Sequence, residues 1–180
     1  QIHKKELTGA VPTALPELRS VIWNKNMQTG NTVLAGEFRT LWGEDTVEVS
    51  LSGLRFRLSP RSFFQVNPAQ AERLYDLAVS MAGLTRGETV VDLYCGAGAI
   101  GLLAAPGAKE VVGVEVVAAA VEDAREAAER NGVGNVSFLC ADAAEAAAQF
   151  AAQGMRPEVL FVEPPRQGLE ASLTARIAVQ

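Results

Sequence analysis

The chain has 180 residues, of which 48% are hydrophobic and 21% charged, with a formal net charge of −5; that is enough for one well-packed core and an appendage. An acidic balance gives no general attraction to nucleic acid, so any RNA contact must come from a local basic face or from chain outside these residues. The two cysteines, Cys95 and Cys140, and the single histidine, His3, lack metal-ligand spacing, which argues against a disulfide framework or a zinc site and fits a reducing cytoplasm.

No apolar run approaches the roughly 20 residues that span a bilayer, and residues 1–5 are not followed by a signal-peptide core. A cytoplasmic, monomeric protein is expected, with neither membrane nor metal involvement. The chain begins with Gln and stops within a helical pattern over 173–180, so a fragment of a longer protein is expected.

Residues 1–61 read as a β-rich appendage, part of a central domain. Short alternating segments at 21–24, 33–38, 41–44, 46–51 and 54–58 are separated by Gly and acidic turns, and residues 24–32 form a polar loop; the pattern predicts several antiparallel strands. Residues 62–180 read as the second unit. Within Ser62-Phe63-Phe64-Gln65-Val66-Asn67-Pro68, Asn67 is a natural N-cap and Pro68 a natural first helical residue, so a helix is expected from Pro68 to about Ala82. Ala71, Leu74, Leu77, Ala78 and Met81 supply its buried face. Phe63 and Phe64 suit a core; Gln65, polar between apolar neighbours, asks for another role.

From Gly87 the chain alternates: strand 89–94, helix 99–105, strand 110–115, helix of about 117–131 closed by Asn131-Gly132, strand 135–140, helix 143–153, strand 158–162 and a last helix. This βαβαβαβ order predicts a Rossmann-like α/β core, a parallel sheet with helices on both faces, with ligands beyond the carboxyl ends of the strands. Gly96, Gly98 and Gly101 follow the first of these strands in G-x-G-x-x-G spacing. That turn fits a dinucleotide as well as S-adenosylmethionine (SAM), because both use bare backbone and free helix N–H groups.

Four acids, Asp92, Glu115, Asp142 and Glu163, stand at or just past the ends of these strands. An acidic wall repels the pyrophosphate of a dinucleotide and attracts the sulfonium and ammonium of SAM, and so favours SAM over NAD(P). Glu115 is placed to accept from ribose hydroxyls in either class. Asp142 is placed near an adenine amino group, and equally serves as the N-cap of the next helix. In Glu163-Pro164-Pro165-Arg166-Gln167-Gly168 the two prolines fix a stiff turn that can hold a planar substrate, and Arg166 suits a phosphate.

With these motifs, the chain resembles the bacterial RNA uracil-C5 methyltransferases, which form 5-methyluridine in ribosomal and transfer RNA. The resemblance rests on 62–67, on Asp92-Leu93-Tyr94-Cys95-Gly96-Ala97-Gly98, on Gly113-Val114-Glu115 and on 163–168; the first and last are the specific parts. It implies a class I SAM-dependent methyltransferase with a SAM site made from Gln65, Tyr94, Glu115 and residue 163, beside Gly96, Gly98 and Asp142. Pro164, Pro165 and Arg166 would face the RNA, with ribosomal (23S) RNA favoured over transfer RNA.

Two positions depart from the family: Glu163 stands where Asp is usual, and Gln167 where Lys is usual. The resemblance also implies a cysteine that attacks C6 of uracil, which it places beyond Gln180, so the chain is expected to carry no catalytic residue and to be inactive by itself. An NAD(P)-dependent oxidoreductase and a non-catalytic SAM-binding or interaction module are the competing readings.

Overall fold

In the computed structural model the described residues are 4–27, 36–166 and 168–177. His3, residues 28–32 of the expected loop, residues 33–35 of the expected strand, Gln167 and residues 178–180 lie outside them.

The core is a four-stranded parallel sheet in the order β7-β6-β5-β8, built from β5 (Thr89–Leu93), β6 (Glu110–Glu115), β7 (Val136–Cys140) and β8 (Val159–Val162). The chain steps outward from β5 to β7, then returns to pair β8 on the other side of β5. That reversal opens a crevice beyond the carboxyl ends of β5 and β8.

Side chains alternate across the sheet. On one side Val91, Leu93 and Val114 pack with Ala146 and Phe150 of α5 (Ala143–Ala152) and Leu173 of α6 (Ala171–Ile177). On the other, Phe138 packs with Leu102 of α3 (Ala99–Ala104) and with Val121, Ala124 and Ala127 of α4 (Ala118–Arg130). The helices therefore cover both faces, and the elements from β5 to β8 fall within one residue of their predicted bounds, whereas α6 starts two residues before the helical pattern expected over 173–180.

Asn67 caps α2 (Pro68–Ala82) as its sequence predicts, its side chain accepting from the Gln70 N–H. The buried face of α2 is different from the predicted one. Ala71 and Tyr75 are buried, whereas Leu74, Leu77 and Met81 are exposed. Only the Ala71–Tyr75 line meets the core, where small and aromatic residues fit beside α3.

The N-terminal part holds two antiparallel ribbons, β1 (Ser20–Lys25) with β2 (Glu37–Gly43) and β3 (Val47–Leu51) with β4 (Leu54–Leu58). The segments expected at 33–38 and 41–44 fall, where described, in the single strand β2. A helix that the sequence reading lacked, α1 (Lys4–Ala14), precedes them. The β3–β4 ribbon lies on α4, and Leu51, Phe56 and Leu58 join the cluster that contains α2 and α4 residues.

Cys140 ends β7 and is exposed, because β7 is a sheet edge among the described residues.

Two glycines separate backbone freedom from packing. Gly98 has φ +79°, and a Cβ there would stand 2.7 Å from the Phe138 ring; Gly132 has φ +66° with open space around it. Gly98→Ala is expected to lower unfolding free energy by about 3 kcal/mol, from strain plus overpacking. Gly132→Ala should cost about 1 kcal/mol; urea denaturation of the two variants checks the order.

Candidate functional site

A cleft of about 630 Å³ opens at the carboxyl ends of β5 and β8, a size that suits a nucleoside-containing small molecule. Four separated stretches wall it: Phe63 to Gln65 before α2, Tyr94 to Ala97 in the glycine turn, Glu115 and Val116 after β6, and Glu163 to Arg166 after β8.

The glycine turn is shaped by left-handed backbone. Tyr94 has φ 64°, Gly96 φ 54° and Gly98 φ 79°. Gly96 is open towards the cleft, the nearest atom to a Cβ there being the Phe63 carbonyl oxygen at 3.7 Å. A ligand can therefore lie directly on this backbone.

Of the four strand-end acids, two line the cleft. Glu115 Oε2 accepts from Gly96 N–H at 3.1 Å and Oε1 from Val117 N–H at 2.8 Å. Both oxygens are thereby fixed, and each retains acceptor capacity for a ligand hydroxyl. Glu163 Oε1 accepts from the Gln65 amide Nε2 at 2.9 Å, which joins two stretches 98 residues apart in sequence.

The other two acids correct the expectation of a four-carboxylate wall. Asp92 is 1% exposed and lies beneath the turn, where its Oδ2 accepts from the Gly101 N–H at 3.1 Å. Burial, reinforced by Glu163 and Glu115, pushes its carboxyl up to about 7 against the opposing Gly101 N–H bond. The acidity of the wall itself thus rests on Glu115 and Glu163. Asp142 caps α5, its Oδ1 accepting from Ala144 N–H at 2.8 Å and Glu145 N–H at 3.2 Å, and it is not among the cleft-lining residues.

The aromatic residues divide by side. Phe64 packs on Phe56 with ring centroids 5.3 Å apart, as a core residue would. Phe63, which also suited a core, is instead 70% exposed at the cleft. Tyr94 lines the cleft, its phenol pushed up by burial and then by the Asp142 and Glu170 carboxylates. Pro164, Pro165 and Arg166 form the rim after β8.

Tyr75 is the site residue that the sequence reading missed. It is 6% exposed, lines the cleft, and sits beside Gln65 and Glu163. Burial and then the Glu163 carboxylate push its phenol up to about 12, so it stays a neutral donor at physiological pH. The available signal was its place four residues beyond Ala71, on one helical stripe.

Cys95 also borders the cleft. Burial, followed by Asp92 and Glu115, pushes its thiol far up, so it holds its proton and is a poor nucleophile.

A carboxyl raised in the folded state adds stability that is fully present below its unfolded pKa and is lost as pH rises through the folded value. For Asp92 the window runs from about pH 4 to about 7. Across it, wild type should lose stability relative to Asp92→Asn by up to about 1.4 kcal/mol per pH unit; urea melts of both proteins at pH 4, 5.5 and 7 measure the difference.

A family model described as a methyltransferase domain matches residues 84–155. A protein named "Uncharacterized RNA methyltransferase" from Lactiplantibacillus plantarum is 46% identical over 165 residues, covering 92% of this chain and 36% of that protein. One of the same name from Clostridium acetobutylicum is 42% identical over 176 residues, covering 98% and 38%.

Among solved structures, the Pyrococcus abyssi tRNA (uracil-54, C5)-methyltransferase in complex with S-adenosyl-L-homocysteine aligns with TM-score 0.69 and 29% identity, over 92% of this chain and 40% of that one. A SAM-dependent methyltransferase from Agrobacterium tumefaciens, at 23% identity and TM-score 0.58, covers 73% of this chain and 44% of its own, and shares the fold. The chain spans 36–39% of the length of the first five of these curated relatives. Over nearly its whole length the chain is therefore a relative of proteins named RNA methyltransferases, and its core is a methyltransferase domain of Rossmann-like α/β fold.

Proposed function

We propose that the cleft binds SAM and that the chain is the methyl-donor-binding part of an RNA uracil-C5 methyltransferase. The observation that carries the reading is the Gln65–Glu163 hydrogen bond, which joins the two specific motifs across the cleft at the strand-order reversal. The Pyrococcus abyssi uracil-C5 methyltransferase, solved with S-adenosyl-L-homocysteine, supports both the cofactor and the acceptor.

The residues fit the group. Glu115, locked by two backbone N–H bonds, accepts from the ribose hydroxyls. Glu163, steered by Gln65, faces the cationic methionine end, while Tyr94 and the open backbone at Gly96 border the nucleoside. When bound, SAM supplies an electrophilic methyl group on a sulfonium.

Pro164 and Pro165 hold the turn against which the uracil lies, and Arg166 takes an RNA phosphate. Uracil C5 is a poor nucleophile until a thiol adds at C6. Cys95 holds its proton and Cys140 lies outside the cleft, so neither cysteine is given that step in this reading. The RNA is ribosomal (23S) in this reading, and the protein is cytoplasmic and monomeric.

Calorimetric titration with SAM, S-adenosylhomocysteine and NAD tests the reading: the first two should bind and NAD should not. Binding of NAD alone would overturn it in favour of an oxidoreductase. Glu115→Ala and Glu163→Gln should each weaken SAM by about 10-fold or more, the worth of one charge-assisted hydrogen bond. Glu163→Asp should retain binding.

A further inference from the structure

We propose that Asp123, in the middle of α4, is a positioning residue that sets the Phe63–Gln65 wall of the cleft through Ser59 and Ser62. This rests on the reading of the cleft as a SAM site, with Gln65 towards the methionine end and Glu115 towards the ribose.

Asp123 is 8% exposed and, with Asp92, is one of the two buried carboxylates among the described residues. Its neighbours on the buried face of α4 are Ala120, Ala124 and Ala127, so packing there asks only for a small apolar residue. A buried carboxylate is costly unless its oxygens are satisfied. Here one oxygen takes two bonds from outside the helix: Asp123 Oδ2 accepts from the Ser59 backbone N–H at 2.7 Å and from the Ser62 hydroxyl at 2.5 Å. The two serine hydroxyls lie 3.3 Å apart, which closes a compact polar knot.

The knot's position gives it its effect. Residues 59–62 lead from β4 into the cleft wall. Directly after them Phe64 turns inward onto Phe56, while Phe63 and Gln65 turn to the cleft. α4, whose N-cap is Val117, follows Glu115 and Val116, which belong to the opposite wall. Asp123 thus ties the segment that presents Gln65 to the helix that follows Glu115, and fixes the spacing between the walls. Arg61 secures the same segment from outside, donating from Nη2 to the Gly36 carbonyl at 2.9 Å and lying 5.1 Å over the Phe38 ring. Those contacts face the β1–β2 ribbon, so they do not replace the link to α4.

Because both bonds end on one oxygen, Asn can supply the same acceptor, whereas Ala cannot. The test is calorimetric affinity for two probes, S-adenosylhomocysteine, which reaches both walls, and adenosine, which reaches only the Glu115 wall. Asp123→Ala and Ser62→Ala should weaken S-adenosylhomocysteine about 10-fold, the scale expected when a binding group is displaced by a fraction of an ångström to an ångström, with adenosine affinity unchanged. Asp123→Asn and Ser62→Thr should restore it.

Combining Asp123→Ala with Gln65→Ala should add little beyond Gln65→Ala alone, because both act at one contact. Wild-type S-adenosylhomocysteine affinity in Asp123→Ala, or a parallel loss of both probes, overturns the proposal. If Asp123→Ala does not fold, the Ser62 pair decides by the same criterion. Failure of the wild-type protein to bind S-adenosylhomocysteine sinks the cofactor reading, and this inference with it.

Discussion

The Asp92 carboxylate, buried at the end of β5, accepts a hydrogen bond from Gly101 in the first turn of α3. It ties the last turn of the strand to the start of the helix, and the intervening residues have to reverse direction in the space left. They do so through positive φ at Tyr94, Gly96 and Gly98. The Cys95 N–H donates to Val114 O at 3.0 Å, so the turn is pinned to β6 as well. The ring of Phe138 fills the space that side chains at Gly98 and Gly113 would need, each Cβ there falling within 2.7 Å of it. A larger residue at either position would push the turn away from the sheet. The backbone at Gly96 and the ring of Tyr94 reach the cleft because the carboxylate below them holds the turn down.

The cleft is assembled from stretches that are distant in sequence, and its integrity is a property of the whole sheet. β8 must pair with β5 for Glu163 to stand beside the glycine turn, and α2 must dock on the core for Gln65 and Tyr75 to meet it. The β3–β4 ribbon contributes by packing on α4, where Phe56 anchors Phe64. Loss of any of these packings separates groups that share no local interaction.

The periodic part of the chain was legible because hydrophobic runs, Asn67-Pro68, Asp142 and Asn131-Gly132 mark its boundaries independently of tertiary contacts. Asn67 and Asp142 are caps in fact, and Gly132 takes the left-handed conformation after α4. Less legible was direction. Val91 and Leu93 face α5 and α6, so Asp92 between them faces α3, and a strand-end acid need not reach solvent. α1 escaped detection because Gly9 and Pro12 lie inside it and contradict local propensity. In α2 three large apolar residues suggested one face and the core selected another, because Tyr75 and not Leu74 or Leu77 fits beneath the cleft.

The two carboxylates that do line the cleft are held to different degrees. Glu115 has both oxygens engaged by backbone N–H groups of its own neighbourhood, so its position is fixed before any ligand arrives. Glu163 is exposed, one of its oxygens accepts from a side-chain amide, and the buried Tyr75 stands beside both partners. An acceptor fixed by backbone suits a ribose diol, whose two hydroxyls have a set spacing, and one held through side chains suits a flexible cationic chain. The additional methylene of Glu163 relative to Asp lengthens that second acceptor. Gln65 is equally long and meets it across the cleft, and so the departure at position 163 is compatible with the proposed ligand.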